Sequence, residues 1–173
     1  MRYKSVSKNS ESKLIINKSH FYGYVFPINN SDEIKNILSN IKKQHKGCNH
    51  VAYAFKVGSE ENYSDDGEPN KTAGMPLFNI IKYNNLDRIL ICVARIFGGV
   101  KLGVSGLITA YGDAGREALS NNEIVEKEET KEVVKEIPIN EFSKVEKELK
   151  KNKIEYSVEF KVDRVIVKMK EKL

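Results

Sequence analysis

The chain has 173 residues, of which 40% are hydrophobic and 31% are charged, as expected for one globular domain with a small appendix. It contains no apolar run of about 18 residues and no hydrophobic signal region at its start, which argues against a membrane partner and against export. Two cysteines are too few for a disulfide framework and the net charge of +5 favours an anionic partner, so we expect a reduced, cytoplasmic protein.

Hydrophobic patterns predict alternating strands and helices up to residue 121. Apolar residues at helical spacing between Ser31 and Gly47 predict the first helix. The near-continuous apolar run of residues 88–97 is typical of a strand that is covered on both faces. The predicted strands are residues 13–17, 21–28, 50–57 and 88–97, and the predicted helices are residues 31–46, a short segment that begins at Pro76, and residues 105–121.

The pattern changes after Asn122. Residues 123–131 are densely charged, and the order strand, helix, strand, strand is predicted over residues 132–139, 140–152, 153–160 and 164–169. A βαββ unit of about 45 residues is small for independent stability. We therefore expect a first domain of residues 1–128 and a small unit of residues 129–173, which docks on the first domain or is completed by a partner chain.

Seven of the eleven glycines lie within, or one residue beyond, the two segments 64–77 and 95–111. Ordered glycine costs backbone entropy, so this concentration implies unusual backbone angles, close packing or a ligand against the main chain. The first segment also contains Asp65, Asp66 and Glu68. These carboxylates suit either a divalent cation and acid–base chemistry, or the capping of turns and of a helix start.

The second glycine-rich segment joins a predicted buried strand to a predicted helix. Exposed N–H groups at such a junction attract phosphate, although glycines at a strand–helix crossing also serve close packing. The spacing matches neither the P-loop nor the dinucleotide-binding fingerprint. No serine has a histidine partner at motif spacing, and no second pair of metal ligands occurs. We therefore expect no metal site, no cofactor and no catalytic residues.

The two segments resemble the signature of the YigZ/IMPACT family. The matching residues are Asp65-Asp66-Gly67-Glu68-Pro69, Thr72-Ala73-Gly74-x-Pro76 and Arg95-x-Phe97-Gly98-Gly99-x-x-Leu102-Gly103-x-x-Gly106-Leu107-x-x-Ala110-Tyr111, preceded by Cys48-x-His50-x-Ala52-Tyr53. The resemblance covers residues 1–125 well and the tail by position only. Lys71, Ile96, Ser105 and Thr109 depart from the pattern, since they stand where the family usually has glycine, tyrosine, glycine and arginine.

The resemblance implies an α+β (mixed α/β) fold. It implies a two-layer sandwich of the ribosomal-protein and elongation factor G domain-four type, with helices on one face of a mixed sheet and a left-handed βαβ crossover. A ferredoxin-like second domain is also implied, of which the βαββ unit is a partial copy. The candidate ligand-binding cleft comprises His50, Asp65, Asp66, Glu68, Lys71, Thr72, Gly74, Arg95, Gly98, Gly99, Lys101, Gly103, Gly106 and Tyr111.

Three functions remain open. The resemblance implies a non-enzymatic, translation-linked regulator that binds RNA, the ribosome or a translation-associated protein. The 16 Lys/Arg against 11 Asp/Glu in residues 1–120 agree with this. One alternative is an enzyme that acts on a phosphorylated or peptide substrate through the acidic residues of the 65–68 loop. The other is a protein-interaction module whose glycines serve packing alone.

Overall fold

A computed structural model describes residues 1–173, which divide into two compact units. The larger unit is Tyr3–Glu126, and the smaller unit is Lys127–Leu173 together with Met1–Arg2. The elements up to residue 128 are β1 (Arg2–Val6), β2 (Ser10–Ile16), β3 (Ser19–Pro27), α1 (Glu33–Gln44), β4 (His50–Val57), β5 (Glu60–Ser64), α2 (Gly74–Tyr83), β6 (Ile89–Ile96), α3 (Gly103–Ser120) and β7 (Ile124–Glu128). None of the helices has the length and hydrophobicity needed to cross a lipid bilayer.

A five-stranded sheet forms the centre of the larger unit. Its order is β2-β3-β6-β4-β5, and every neighbouring pair is antiparallel. The strand β6 lies in the middle because its residues 89–94 are apolar and wholly buried. The strands β1 and β7 form a separate two-stranded sheet.

Helices cover both faces of this sheet. On one face α2 and α3 pack against Ile89, Ile91 and Val93 of β6. On the other face α1 packs in the clusters that hold the intervening residues Leu90, Cys92 and Ala94. The prediction that this strand is covered on both faces is therefore confirmed. Its apolar side chains point alternately to the two faces of the sheet, so each face needs a helix to exclude water.

The α+β fold class is confirmed, but two details differ from the arrangement that the resemblance implies. The helices lie on two faces of the sheet rather than on one, and the sheet is antiparallel rather than mixed. The strand β5 escaped prediction because its sequence, Glu-Glu-Asn-Tyr-Ser, has no β-branched residue; it is an edge strand that is held by pairing with β4.

The smaller unit has its own core. Its elements are β8 (Thr130–Pro138), a 3-10 turn at Ile139–Glu141, α4 (Phe142–Lys151), β9 (Tyr156–Phe160) and β10 (Arg164–Lys172). The three strands form an antiparallel sheet in the order β8-β10-β9, and the predicted order of strand, helix, strand, strand is confirmed. Its buried apolar residues are Ile137, Leu149, Val165, Val167 and Met169. Independent folding of residues 1–128 and of residues 129–173 stays a prediction.

Candidate functional site

Asp65 organises the first glycine-rich segment. One oxygen of its carboxylate accepts the N–H of Lys71 at 2.9 Å, and the other accepts those of Ala73 at 3.1 Å and Gly74 at 2.8 Å. Gly74 is the first residue of α2, so the carboxylate caps a helix start that has no other side-chain cap. Of the two roles open to this carboxylate, the structure therefore shows the capping one.

Asp66 fastens the same loop to β4. Its φ is 44°, and Gly67 follows with a φ of 89°, so the chain turns through two left-handed residues. The Asp66 carboxylate accepts the N–H of Val51 at 2.7 Å, and the Asp66 carbonyl oxygen accepts a hydrogen bond from Nδ1 of His50 at 2.7 Å. Thr72 closes the loop from its other end by donating to the carbonyl oxygen of Pro69 at 2.6 Å.

Glu68 and Arg95 form a buried ion pair. Nη1 of Arg95 donates to Oε1 of Glu68 at 2.9 Å and to Oε2 at 2.8 Å, and their side chains are only 7% and 4% exposed. Nη2 of Arg95 reaches Oγ of Ser19 at 3.4 Å. The same hydroxyl oxygen accepts the N–H of Gly98 at 3.2 Å. The pair therefore links the first glycine-rich segment to the start of the second.

His50 completes this network. Its Nε2 lies 2.8 Å from Oε1 of Glu68, while its Nδ1 donates to the Asp66 carbonyl oxygen. The two ring nitrogens therefore join the Asp66 carbonyl oxygen on one side to the Glu68 carboxylate on the other. His50, Glu68 and Arg95 therefore form one continuous polar chain across β4, the loop and β6.

An open cleft of about 430 Å³ lies beside this polar chain. The guanidinium group of Arg95 lies 5.5 Å from the ring centre of Phe21 and 5.4 Å from that of Phe97. Its Nε–H is buried and has no hydrogen-bond acceptor. The cleft is lined by Asn49, His50, Glu68, Pro69, Arg95, Phe97, Lys101, Leu102, Gly103, Val104 and Leu107.

Five of the predicted site residues therefore line the cleft: His50, Glu68, Arg95, Lys101 and Gly103. Asp65, Asp66, Thr72 and Gly74 instead build the loop. The predicted residue Lys71 is exposed in this loop, at a left-handed φ of 61°, and does not line the cleft.

Tyr111 lies beneath this site and is wholly buried. Its hydroxyl group is close to Glu68 but makes no hydrogen bond of regular geometry. Burial raises the pKa of this hydroxyl well above its ordinary range, and the negative charge of Glu68 raises it further. Tyr111 therefore lies close to the buried ion pair and does not line the cleft.

The predicted glycines fall into two groups. A β-carbon added at Gly98 would lie 1.9 Å from the carbonyl oxygen of Lys18, and one added at Gly74 would lie 2.6 Å from that of Ser64, so both serve close packing. Gly99 and Gly103 have φ values of 91° and 75°, and an added β-carbon would meet nothing within 4 Å. Gly106, inside α3, has Leu102 as its nearest neighbour, at 3.1 Å. Close packing therefore explains Gly74 and Gly98, and left-handed backbone angles explain Gly99 and Gly103.

Sequence reasoning missed several residues that line the cleft. Asn49 is the most informative, because its side-chain oxygen accepts the N–H of Phe97 at 2.8 Å and its own N–H donates to the Arg95 carbonyl oxygen at 2.9 Å. It therefore holds the aromatic ring of Phe97 beside the cleft. Phe97 was part of the recognised motif, but nothing in its spacing indicated that 45% of it is exposed.

Comparisons with known proteins identify the family. Residues 17–119 match the family described as the Impact N-terminal domain, which is more than half of the chain. The chain belongs to the IMPACT family. It is 32% identical over 153 residues to the IMPACT family member YvyE of Bacillus subtilis, a match that covers 87% of this chain and 70% of that protein. Every candidate site residue, from His50 to Tyr111, lies within the range that matches the IMPACT family.

Two further relatives support the assignment to the IMPACT family and the fold. The IMPACT family member in the pol 5'region of Thermus thermophilus is 39% identical over 105 residues, which cover 61% of this chain and 57% of that protein. A crystal structure of a hypothetical protein aligns with 98% of this chain and 84% of that chain, at a TM-score of 0.73 and 22% identity. The second match shows a shared fold.

Proposed function

We propose that this IMPACT family chain is a non-enzymatic, translation-linked regulator of the cytoplasm that binds RNA, the ribosome or a translation-associated protein through its cleft. The link to translation comes from the family resemblance. The observation that supports the binding role is that the acidic group of the cleft is paired within the protein and the basic group of Lys101 is not. The Glu68 carboxylate is paired with Arg95 within the protein, whereas Lys101 and the start of α3 line the cleft.

The hydrogen bonds of the acidic residues also argue against the enzymatic alternative. A general acid, a general base or a cation ligand needs a free oxygen. Asp65 caps α2, Asp66 accepts the N–H of Val51, and Glu68 is bonded through both oxygens to Arg95. Asp65 and Glu68 would therefore have to break these contacts before they could engage a substrate, whereas Asp66 is held through one of its two carboxylate oxygens.

Co-sedimentation with ribosomes over a range of salt concentrations tests the proposal. The substitution Lys101→Glu reverses a charge in the cleft and is expected to weaken binding. The plot of the logarithm of the binding constant against the logarithm of the salt concentration has a negative slope. Its magnitude is expected to decrease by about 0.7 for each phosphate contact with single-stranded RNA that is lost. The matched control is Lys43→Glu, which makes the same charge change at an exposed position of α1 on the opposite face of the sheet.

Two results would contradict the proposal. One is an absence of ribosome or RNA binding by the wild-type chain at low salt, where electrostatic binding is strongest. The other is an equal loss of binding in Lys101→Glu and Lys43→Glu, which would move the contact away from the cleft.

A further inference from the structure

We propose that the cleft binds one nucleotide of a single-stranded RNA, with a phosphate group at the N-terminus of α3 and the base against Phe97. This inference rests on the proposed function, because it names the ligand of the same cleft. Three independent features carry it: the helix start, an unpartnered buried donor and an exposed aromatic ring.

The start of α3 is free to bind an anion. The helix has 18 residues; its N-cap, Leu102, makes no side-chain hydrogen bond, and its first turn contains no acidic residue. Gly103, Val104 and Ser105 are all exposed. The unpaired N–H groups of a first turn carry about half a positive charge and favour phosphate. The absence of a β-carbon at Gly103 leaves the main chain open on this side.

Arg95 supplies the second feature. It is 6% exposed and lines the same cleft, and its Nε–H has no acceptor. Buried donors without a partner are rare, because each loses the hydrogen bonds that it would make with water. When the Arg95 side chain turns toward the cleft, a phosphate oxygen there supplies the acceptor that this buried N–H lacks.

The local charge balance favours an anion. Glu68 is the carboxylate that lines the cleft, and it is neutralised by Arg95 at 2.8 Å and contacted by His50 at 2.8 Å. Lys101 and the helix start are left without an opposing charge in the lining. The remaining field in the cleft is therefore positive.

Phe97 selects a nucleotide over other phosphorylated ligands. Its ring lies 5.4 Å from the Arg95 guanidinium group, and 45% of the residue remains exposed at the cleft. Bases of single-stranded nucleic acids stack on such aromatic rings without sequence preference. A phosphorylated serine or threonine side chain has no ring with which to use this surface.

The substitution Val104→Asp tests the phosphate position. Val104 is 61% exposed in the first turn of α3, so a carboxylate there occupies the anion position and repels a phosphate. We expect a hexauridylate, adenosine 5′-monophosphate and inorganic phosphate each to bind about tenfold more weakly. Binding is measured by titrating the full chain and following the amide NMR signals of residues 103–105.

Val104→Asn is the matched control, because asparagine has the shape of aspartate without its charge. This variant is expected to bind each ligand within about threefold of the wild type. A carboxylate in the first turn favours the helix, so the thermal midpoint of Val104→Asp should not fall. Loss of binding therefore cannot be attributed to unfolding.

The substitution Phe97→Leu tests the base position. It is expected to weaken binding of adenosine 5′-monophosphate and hexauridylate by about tenfold, and to leave inorganic phosphate binding unchanged. Equal binding of the nucleotide by Phe97→Leu and by the wild type would overturn the base position.

Other outcomes separate this inference from the proposed function. If millimolar phosphate and nucleotide leave the amide signals of residues 103–105 unmoved, or if a phosphoserine peptide binds more tightly than hexauridylate, the nucleotide site is refuted. If this occurs while ribosome co-sedimentation still depends on Lys101, the proposed function stands. Hexauridylate binding at residues 103–105 by a chain that does not co-sediment with ribosomes at any salt concentration would instead overturn the link to translation and leave the nucleotide site intact.

Discussion

At the scale of single residues, the buried pair of Arg95 and Glu68 makes the larger unit sensitive to the loss of either partner. Removing one partner of a buried ion pair leaves the other charged, buried and unpaired. Glu68→Ala should therefore lower the free energy of unfolding by about 3–5 kcal/mol, as measured by urea denaturation.

Glu61→Ala is the matched control, because it breaks an ion pair with Lys82 whose side chains are 35% and 48% exposed. Exposed pairs contribute at most about 1 kcal/mol, so the expected loss is small. Equal losses for the two variants would show that Glu68 and Arg95 do not stabilise each other as the buried geometry implies.

Lys71 gives a second prediction at this scale. Its φ of 61° is left-handed, and it stands where the family pattern has glycine. The left-handed backbone costs about 1–2 kcal/mol for a residue with a β-carbon, and glycine itself costs about 0.5–1 kcal/mol in entropy. Lys71→Gly should therefore raise the free energy of unfolding by about 0.5–1 kcal/mol. Lys71→Ala loses the same charge but keeps the β-carbon, and a similar gain in that variant would refute the backbone explanation.

At the scale of elements, two glycines of α3 are expected to respond in opposite directions. A β-carbon at Gly112 would meet the guanidinium group of Arg116 at 3.0 Å, and this side chain is exposed and can move. Gly112→Ala should therefore raise the free energy of unfolding by up to about 1 kcal/mol through helix propensity.

Gly115 faces α2 instead. An added β-carbon would lie 2.6 Å from Cδ2 of Leu77 and 2.9 Å from Cδ1 of Ile80, both of which are buried. Overpacking of this kind costs about 1–3 kcal/mol, which exceeds the gain in helix propensity. Thermal midpoints measured for Gly112→Ala and Gly115→Ala should shift up and down, respectively. A rise in both would mean that α2 and α3 can move apart without cost.

The elements that periodicity describes well are those with a one-sided or two-sided apolar pattern. In α1 the apolar residues at helical spacing, Ile34, Ile37, Leu38 and Ile41, pack in the core as that spacing predicts, and β4 packs on both of its faces. In α3 the apolar residue Ile108 departs from such a pattern, because it is 42% exposed. The edge strand β5 and the strand β1 escaped prediction, because pairing with β4 and with β7, respectively, rather than local composition holds them.

At the scale of the whole molecule, stability is expected to fall in alkaline solution. Burial raises the pKa of the Cys92 thiol above its ordinary value of 9.0 and that of the Tyr111 hydroxyl above 10.0, and it raises the pKa of Tyr24 to about 12. Above about pH 9 the unfolded chain loses protons that the folded chain retains, so the free energy of unfolding decreases as the pH rises.

Each such group contributes a slope of about 1.4 kcal/mol per pH unit once the unfolded chain has ionised. Urea denaturation at a series of pH values should show that Cys92→Ala reduces the slope between about pH 9 and 10. Cys48→Ala removes the other thiol of the chain, which is half-buried, and is the matched control. An unchanged slope in Cys92→Ala would show that this thiol ionises equally in both states.

The sequence by itself determined the α+β class, the order of the principal strands and helices and the IMPACT family, because these depend on local periodicity and on motifs that are continuous in the chain. Tertiary structure alone decided what the motif residues do. Glu68 and Arg95 are 27 residues apart in the chain, yet their charges cancel in a buried pair. Asp65 is next to Asp66 in the chain, yet one caps a helix and the other pins a strand. The strand register and the conformation of the loop determine these contacts, and neither can be predicted from the spacing of the residues in the sequence.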